Sequence, residues 1–396
     1  MVEQLTQEQI DKRLFHEIHV SEIREFLKCQ WAWDWKYNQQ MYPRKGSAKP
    51  LEFGTAMHAG MEQLYNPEYF HDKQVCEGLA ISKINSTIDE QLANALANIE
   101  LLFGSKEDII LEYEERRSLA TNMLKYYVEV IGPSEAGFEP LMAEQEFMLR
   151  VPFVCNCKKC ADKCGVKIGT EAWINWSGLP VVIEGKIDLV LKDHGGQVWV
   201  RDWKNVASLY ESMEWLELDI QLLIYLWALW EMGLDIGGFQ YFEQKKIVPQ
   251  APEPLKRKTG GCAYSRSRTA PHEFKSYLAT IIQHDAQAYT DGLYDEYLDW
   301  LRLEGPQYHR LTVVRKDSSA MQQVQAIVYK YVQSITQQRV LPTLVPTPTK
   351  FNCTYCEFRQ VCIEKMNGDD WETMLTTLFE QKKHYYDAQR EGEVYG

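Results

Sequence analysis

The chain has 396 residues, 45% hydrophobic and 25% charged, which is ordinary for a water-soluble globular protein and long enough for a full core with one or two appended modules. A net charge of −13 argues against a protein that coats nucleic acid without specificity, while leaving room for a local basic groove. The polar opening MVEQLTQEQIDKRLF is unlike a signal peptide and no apolar run is long enough to span a bilayer, so the expected setting is a reducing cytoplasm, where ten cysteines need a role other than disulfides.

In chain order, Ser21 is the predicted N-cap of one helix through SEIREFLKCQWAWDWKYN, with Cys29 in its middle. Ile23, Phe26, Leu27 and Trp31, Trp33, Trp35 give that helix an apolar side. A second helix is predicted from about Pro50 through LEFGTAMHAGMEQLY, where His58 interrupts small and apolar residues. Taken alone, His58 reads as a hydrogen-bonded core histidine or as a metal ligand. Helical patterns continue from about 73 to 131 and stop at Gly132-Pro133.

The period then changes. LMAEQEFMLRVPFV alternates, with Ala143, Gln145, Phe147 and Leu149 on one side and Glu144, Glu146 and Met148 on the other. CNCKKCADKCG follows, and TEAWINWSG, PVVIEGKIDLVLKD and VWVRDWKN read as further strands, giving an antiparallel meander of four. A helix from about 213 to 232 puts Gln221 and Tyr225 on one face. GFQYFEQKKIV reads as a fifth strand, 249–271 as a loop, and two helices are predicted near 272–303 and 317–337. LPTLVPTPTKF is an extended linker leading to FNCTYCEFRQVC and an acidic helix-like tail. No internal repeat is visible.

Along VWVRDWKN, alternation puts Val198, Val200, Asp202 and Lys204 on one face, so a strand face built to be buried ends in a carboxylate and an amine. Alone, this fits a local ion pair at a solvated strand end. Asp188 in IEGKIDLVL lies one strand earlier, across a short turn at 193–196, so both carboxylates can converge at one end of the sheet. Two carboxylates and a backbone carbonyl suit Mg²⁺ or Mn²⁺, and the adjacent lysine can hold or deprotonate a water. That is the outline of a phosphodiester hydrolysis site.

Two cysteine groups stand apart from it. Cys353-x-x-Cys356, five residues and Cys362 need a fourth ligand, and zinc or an iron–sulfur cluster would each accept four thiolates. Cys155, Cys157, Cys160 and Cys164 suit a small Zn²⁺ site, the bland alternative being a reduced loop that binds nothing. Cys76 and Cys262 read as ordinary thiols. The basic stretch from Lys256 to Arg268 is either a solvated loop or a flap that contacts phosphates.

The ordered segments GTAMHAG, EGKIDLV, VRDWKN and QLLIYLW resemble the RecB-type branch of the PD-(D/E)XK nuclease superfamily. The resemblance implies an α/β, restriction-endonuclease-like core, a mixed central sheet flanked by helices, with a helical insertion and an iron–sulfur domain joining the N- and C-terminal parts. It implies that His58, Asp188, Asp202 and the Trp203 carbonyl bind Mg²⁺ or Mn²⁺, that Lys204 is the catalytic lysine, and that Gln221 and Tyr225 contact the substrate strand. Glu144 or Glu146 matches an acidic residue one strand earlier, and Glu146 is taken as the catalytic one.

The C-terminal triplet is similar to that of iron–sulfur nucleases of this branch, AddB-type subunits and the CRISPR-associated RecB-like nuclease among them. That likeness implies a 4Fe–4S cluster on Cys29, Cys353, Cys356 and Cys362, although Cys29 is followed by Gln-Trp where relatives often have Pro-Arg. The cluster would serve as a structural staple, with a redox role as the second reading. The resemblance does not cover the cysteines at 155–164.

On this reading the chain divides into N-terminal helices with Cys29 and the His motif (18–66), a helical insertion (67–140), the nuclease core (141–248) with its Cys-rich hairpin, a basic loop (249–271), a helical segment (272–340), the iron–sulfur segment (341–366) and a tail (367–396). The implied function is a metal-dependent DNA exonuclease on single strands or ends, in recombination, repair or replication. The alternative is a non-catalytic DNA-binding subunit of nuclease fold in a helicase–nuclease or integration complex. No G-x-x-x-x-G-K-[ST] is present, so unwinding would need a helicase or recombination partner. No membrane partner is expected, and a virus-encoded enzyme acting in a host cytoplasm fits the compact size.

Overall fold

The computed structural model describes residues 17–44, 49–97, 105–132, 137–151, 182–209, 213–247, 254–256, 262–264, 308–340 and 343–382, with isolated positions between 282 and 299. Cys155, Cys157, Cys160 and Cys164, the strand expected at TEAWINWSG and most of the helix expected near 272–303 lie outside the described residues.

The elements in order are β1 (Ile18–His19), α1 (Val20–Lys28), α2 (Gln30–Trp33), running on as a wider π-type turn over Asp34–Asn38, and β2 (Met41–Pro43). Next come α3 (Lys49–Leu64), α4 (Lys73–Ala97), α5 (Lys106–Tyr126), β3 (Glu139–Arg150), β4 (Val182–Lys192) and β5 (Val198–Val206). α6 (Ile220–Glu231), β6 (Ile236–Lys245), β7 (Pro254–Lys256), β8 (Cys262–Tyr264) and β9 (His309–Arg315) follow. The chain closes with α7 (Met321–Val340), α8 (Lys350–Thr354), α9 (Arg359–Asn367), α10 (Trp371–Leu378) and β10 (Phe379–Gln381).

One sheet of six strands organises the molecule, in the order β1-β4-β5-β6-β9 with β3 on the other edge of β4. β4 and β5 are antiparallel neighbours, as expected, whereas β3 pairs antiparallel with β4 directly, where the meander put TEAWINWSG between them; β5 and β6 run parallel, with α6 as the crossover. Parallel strands need such a crossover, which is why α6 lies between them in sequence. β9 was not expected. It pairs antiparallel with β6 from Gly238↔Arg315 to Gln244↔His309. The expected loop over 249–271 contains a short hairpin, β7 with β8.

Helices cover both faces. Val198, Val200, Ile187 and Phe239 pack with α1, α6 and α7 through Ile23, Leu222, Leu226, Val324 and Val328. Leu189, Leu191, Trp203 and Phe242 face α3, α4 and α5, meeting Met57, Met61, Ile84 and Met123. Burying apolar surface on both faces is what a mixed sheet with a parallel pair requires. α1 lies close over the sheet because Gly185 has no side chain; a Cβ there would sit 2.6 Å from the Phe147 ring and 2.9 Å from Val20. A third, smaller core joins the chain's two ends through Trp35, Met41, Phe358, Val361, Leu375 and Phe379, and β10 pairs with β2 beside it.

The expected single helix from 21 to 38 is two. Cys29 sits between α1 and α2 in an extended conformation, φ −164° and ψ 119°. Asn352 Nδ2 donates to the freed Lys28 carbonyl at 3.2 Å, so the break turns Cys29 toward the C-terminal cysteines. His19, not Ser21, occupies the N-cap position, and it caps without a side-chain bond. Near 213–232 the first turn is a 3₁₀ segment (Glu214–Leu218), and α6 proper starts after Asp219, whose carboxylate accepts from the Gln221 and Leu222 N–H groups. Among the described residues no helix is long and apolar enough to cross a membrane.

Candidate active site

The ladder between β4 and β5 ends at Leu189↔Arg201. The next rung would set Asp188 against Asp202. Instead, the Asp188 carboxylate accepts a hydrogen bond from the Trp203 N–H at 3.0 Å. Beyond this point β4 pairs with β1 through Ile183 and Glu184, while β5 continues along β6 to Val206. The two strands therefore part at the two aspartates, and a side chain satisfies the backbone donor that the ladder gives up.

On its other edge, Asp188 lies opposite Glu144, between the rungs Ala143↔Leu189 and Gln145↔Ile187. Glu144 has φ 48°, a region non-glycine residues rarely occupy. The regular alternation reverses there on both strands. Ala143 and Leu189 pack toward α3–α5, whereas Phe147 and Ile187 pack on the opposite face. This corrects the expected face on which Ala143 joined Phe147 and Leu149. A local backbone cost of this kind, of order 1–3 kcal/mol, persists only where the surroundings hold it.

α3 supplies His58. Its Nδ1 lies 3.2 Å from Glu144 Oε1 and 3.6 Å from Asp188 Oδ2. Lys186 Nζ is 2.6 Å from the other Glu144 oxygen. Lys204 Nζ is 2.6 Å from Asp202 Oδ2. Asp202 is 1% exposed, and its Oδ1 is buried without a hydrogen-bond partner among the described residues. Glu146, the residue taken as catalytic from the sequence, is exposed and pairs in register with Lys186; it is Glu144 that joins His58 and Asp188. The structure records the Trp203 N–H at the site, and its indole packs among α3–α5.

The charges are strongly coupled. Burial, with the Asp202 charge adding to it, pushes the Asp188 carboxyl up to about 6, against the pull of His58 and Lys204. Burial pulls His58 down, but the Asp188 charge and the Glu144 hydrogen bond outweigh it and leave the imidazole above its ordinary value. Burial likewise works against ionised Glu144 and Lys204. His58 and Lys186 nevertheless hold Glu144 below the usual carboxylate range, and Asp202 holds Lys204 above the usual amine value.

These shifts carry a sign. Folded Asp188 holds its proton up to about 6, and an unfolded aspartate only to about 3.8. The folded state thus binds more protons between those values, and stability falls as pH rises through that window. Asp188→Asn removes the buried charge. In EDTA the variant is expected to be more stable than the parent above pH 6, by on the order of 3 kcal/mol. The difference should vanish below pH 4. Denaturant titrations at pH 4, 6 and 8 check it; an equal difference at all three would sink the assignment.

A cleft at His58 and Lys204 is lined by Met57, Met61, Trp203, Asn205 and Gln244. Outside that lining, Gln221 Nε2 donates to the Tyr225 hydroxyl at 2.6 Å, and Arg24 of α1 donates to Gln221 Oε1. Tyr225 is largely buried against Phe147, so Gln221 is the more accessible of the two. The Arg24 charge is felt at Lys204. Arg24 and Lys186 were not expected. Lys186 stands in the EGKIDLV segment two residues before Asp188, a signal that was available. Arg24 reaches the cleft only through the packing of α1 on α6.

One imidazole nitrogen and two carboxylate oxygens, from His58, Glu144 and Asp188, lie within 4.8 Å of one another. Beside them stands the unpartnered Asp202 oxygen. This donor set fits a hard divalent cation of the Mg²⁺ or Mn²⁺ kind.

Cys29, Cys353, Cys356 and Cys362 are all free and half-buried, and Cys29, Cys356 and Cys362 pack against the third core. Burial pushes the Cys362 thiol up, and the charges of Cys29 and Cys353 add to the rise. Burial likewise pushes Cys356 up, with Glu25 and Cys29 adding to the rise. Lys365 Nζ lies 4.0, 4.7 and 5.4 Å from the ring centres of Trp371, Trp31 and Trp35. Cys76 is an ordinary buried thiol that donates to the Tyr69 carbonyl.

A search of curated proteins finds no significant match. The family model of the PD-(D/E)XK nuclease superfamily matches residues 17–363, a span that takes in the split strands, His58 and all four of Cys29, Cys353, Cys356 and Cys362. With 347 of its 396 residues inside that match, the chain belongs to the PD-(D/E)XK nuclease superfamily.

Proposed function

We propose that this chain is a Mg²⁺- or Mn²⁺-dependent deoxyribonuclease of the RecB-type branch, an exonuclease acting on single strands or DNA ends in recombination, repair or replication. Membership of the superfamily makes metal-dependent nuclease chemistry the class of activity, with DNA as substrate. The observation that carries the reading is the meeting of His58, Glu144 and Asp188 beside the buried Asp202 oxygen and the Lys204 ammonium.

In this reading His58, Asp188, Asp202 and Glu144 hold the cation, with the Trp203 carbonyl as a further ligand. A divalent ion held there supplies charge that polarises a phosphate and acidifies a water. Lys204 is a protonated donor while Asp202 faces it, so it offers N–H bonds to a phosphate oxygen and steadies the charge that builds there. Gln221 and Arg24 line the wall where the strand enters, with Tyr225 holding Gln221 in place.

The test is digestion of end-labelled single-stranded, duplex and circular single-stranded DNA. Short products from linear strands are expected in Mg²⁺ or Mn²⁺ and none in EDTA, with the circle intact. Cleavage of the circle would remove the exonuclease claim and keep the nuclease. Inert protein across all ends and metals would favour the DNA-binding subunit reading. Any unwinding is assigned to a separate helicase.

The reading also places a 4Fe–4S cluster on Cys29, Cys353, Cys356 and Cys362. What supports it is that the Cys356 thiol feels the charge of Cys29 and the Cys362 thiol those of Cys29 and Cys353. Trp31, Trp35 and Trp371 stand beside the thiols and give a readout independent of activity. Anaerobically purified protein is expected to hold about four irons, with its tryptophan emission quenched; Cys356→Ala should lose the iron and brighten the emission. Zinc that stays in Cys356→Ala would assign Zn²⁺ to Cys155, Cys157, Cys160 and Cys164.

A further inference from the structure

Two large aromatic rings stand out in solvent. Phe351 is 74% exposed and Tyr355 is 81% exposed, and their ring centres are 6.2 Å apart at an angle of 70°. Single exposed apolar side chains are common and need no explanation. A paired, outward-facing Phe and Tyr on one short segment are different, because that area is left unburied next to a core that had room to recruit neighbouring residues of the same segment, such as Phe358.

The position of the pair says what would cover it. Asn352, between the rings in sequence, is fastened to the Lys28 carbonyl at the end of α1. The same helix carries Arg24, which touches Gln221 and Asp219 at the cleft and whose charge reaches Lys204. Arg24 and Lys28 are four residues apart, so they share a face and are separated by about 6 Å of helix. Both side chains are more than a third exposed. Lys350, also exposed, precedes Phe351. On a chain of net charge −13, Arg24 (3.9 Å from Asp219), Lys28 (3.4 Å from Glu25) and Lys350 are three exposed cations on the segments that link the cleft to the pair of bare rings. Cations along a track that ends in aromatic faces match a phosphate backbone whose bases are free to stack.

We infer that Phe351 and Tyr355 form a stacking platform for the bases of single-stranded DNA, with Lys28 and Lys350 on the phosphates and Arg24 passing the strand to the cleft. The inference rests on the nuclease reading for its direction, and the platform itself is testable without cleavage. Each ring removed should cost at least about five-fold in affinity, because base stacking on an exposed ring is worth that much or more. A duplex, whose bases are already stacked, should gain nothing from the rings.

The experiment uses the full chain in EDTA, with fluorescein-labelled oligothymidylate, the same strand built from abasic units, and a duplex. Anisotropy titrations should show the parent binding thymidylate more tightly than the abasic strand. Phe351→Ala/Tyr355→Ala should bind both alike, about 30-fold or more weaker than the parent on thymidylate. Phe351→Trp should keep the preference. Iron content and the unfolding midpoint, equal in all three proteins, show that the loop is intact. Equal thymidylate binding by the parent and the double variant, or a parent that does not tell thymidylate from the abasic strand, overturns the platform and points to a protein partner for the pair. The nuclease reading fails separately: a parent that stacks the strand but never cleaves it in Mg²⁺ or Mn²⁺ keeps the platform and loses the activity.

Discussion

Lys204→Ala is expected to lower the rate of DNA cleavage by about 10²–10⁴-fold while leaving the affinity for DNA within a few-fold of the parent. The ammonium stands 2.6 Å from Asp202, above its ordinary pKa, and so stays charged through the neutral range. On the proposed mechanism, its removal takes away the donor that meets the developing phosphate charge. It also leaves Asp202 buried without its counter-charge. A second readout follows. In EDTA the variant should unfold at a lower temperature than the parent, and Mn²⁺ should restore much of the loss, because a cation replaces the missing charge. A variant that cleaves at the parental rate would remove Lys204 from the chemistry. One that is no less stable in EDTA would show that the pair with Asp202 carries no weight.

Glu22→Ala is expected to destabilise the protein by about 3–5 kcal/mol, which lowers the unfolding midpoint by about 5–10 °C. Glu22 is 0% exposed and Arg339 is 2% exposed, and they form an ion pair across 317 positions of sequence. The Trp33 indole N–H donates to the same carboxylate at 3.0 Å. Removing the glutamate takes a buried counter-charge from a buried guanidinium, far costlier than losing an exposed pair. Glu22→Leu with Arg339→Met should recover most of the loss, because a packed apolar pair avoids the desolvation cost. Calorimetry of the single and double variants separates the outcomes. If the double variant is as unstable as Glu22→Ala, packing rather than the lost counter-charge explains the effect.

The catalytic strands were legible because their signals are local. Turn residues at 193–196 fix a hairpin, and alternation then places Asp188 and Asp202 at matching depths. Glu144 was harder. An ideal strand points Glu144 and Glu146 to the same side, and only the positive φ at Glu144 separates the two. No propensity scale registers such a kink, because β4 and His58 hold it. The break at Cys29 was hidden for a related reason, since the residues on both sides keep a helical period and the contact that opens the break comes from Asn352. β9 was missed as an edge strand whose outward positions carry Leu311 and Val313, which blunts the polar–apolar alternation. The parallel pairing of β5 with β6 is a matter of chain crossing and leaves no local trace.

The joining of residues 18–29 to residues 339 and beyond bears on the order in which the fold closes during synthesis. Ile18 and His19 pair with Ile183 and Glu184, Glu22 waits for Arg339, and Cys29 sits with Cys353, Cys356 and Cys362. Contacts this distant in sequence form late, and a chain on the ribosome emerges from its N-terminus. A chain stalled before residue 339 already holds His58, Glu144, Asp188 and Lys204. It lacks the Arg339 counter-charge of Glu22, so the buried end of α1 is completed only when α7 has been made. The fold thus closes between segments made early and segments made late, and the buried Glu22–Arg339 pair is among the contacts that form last.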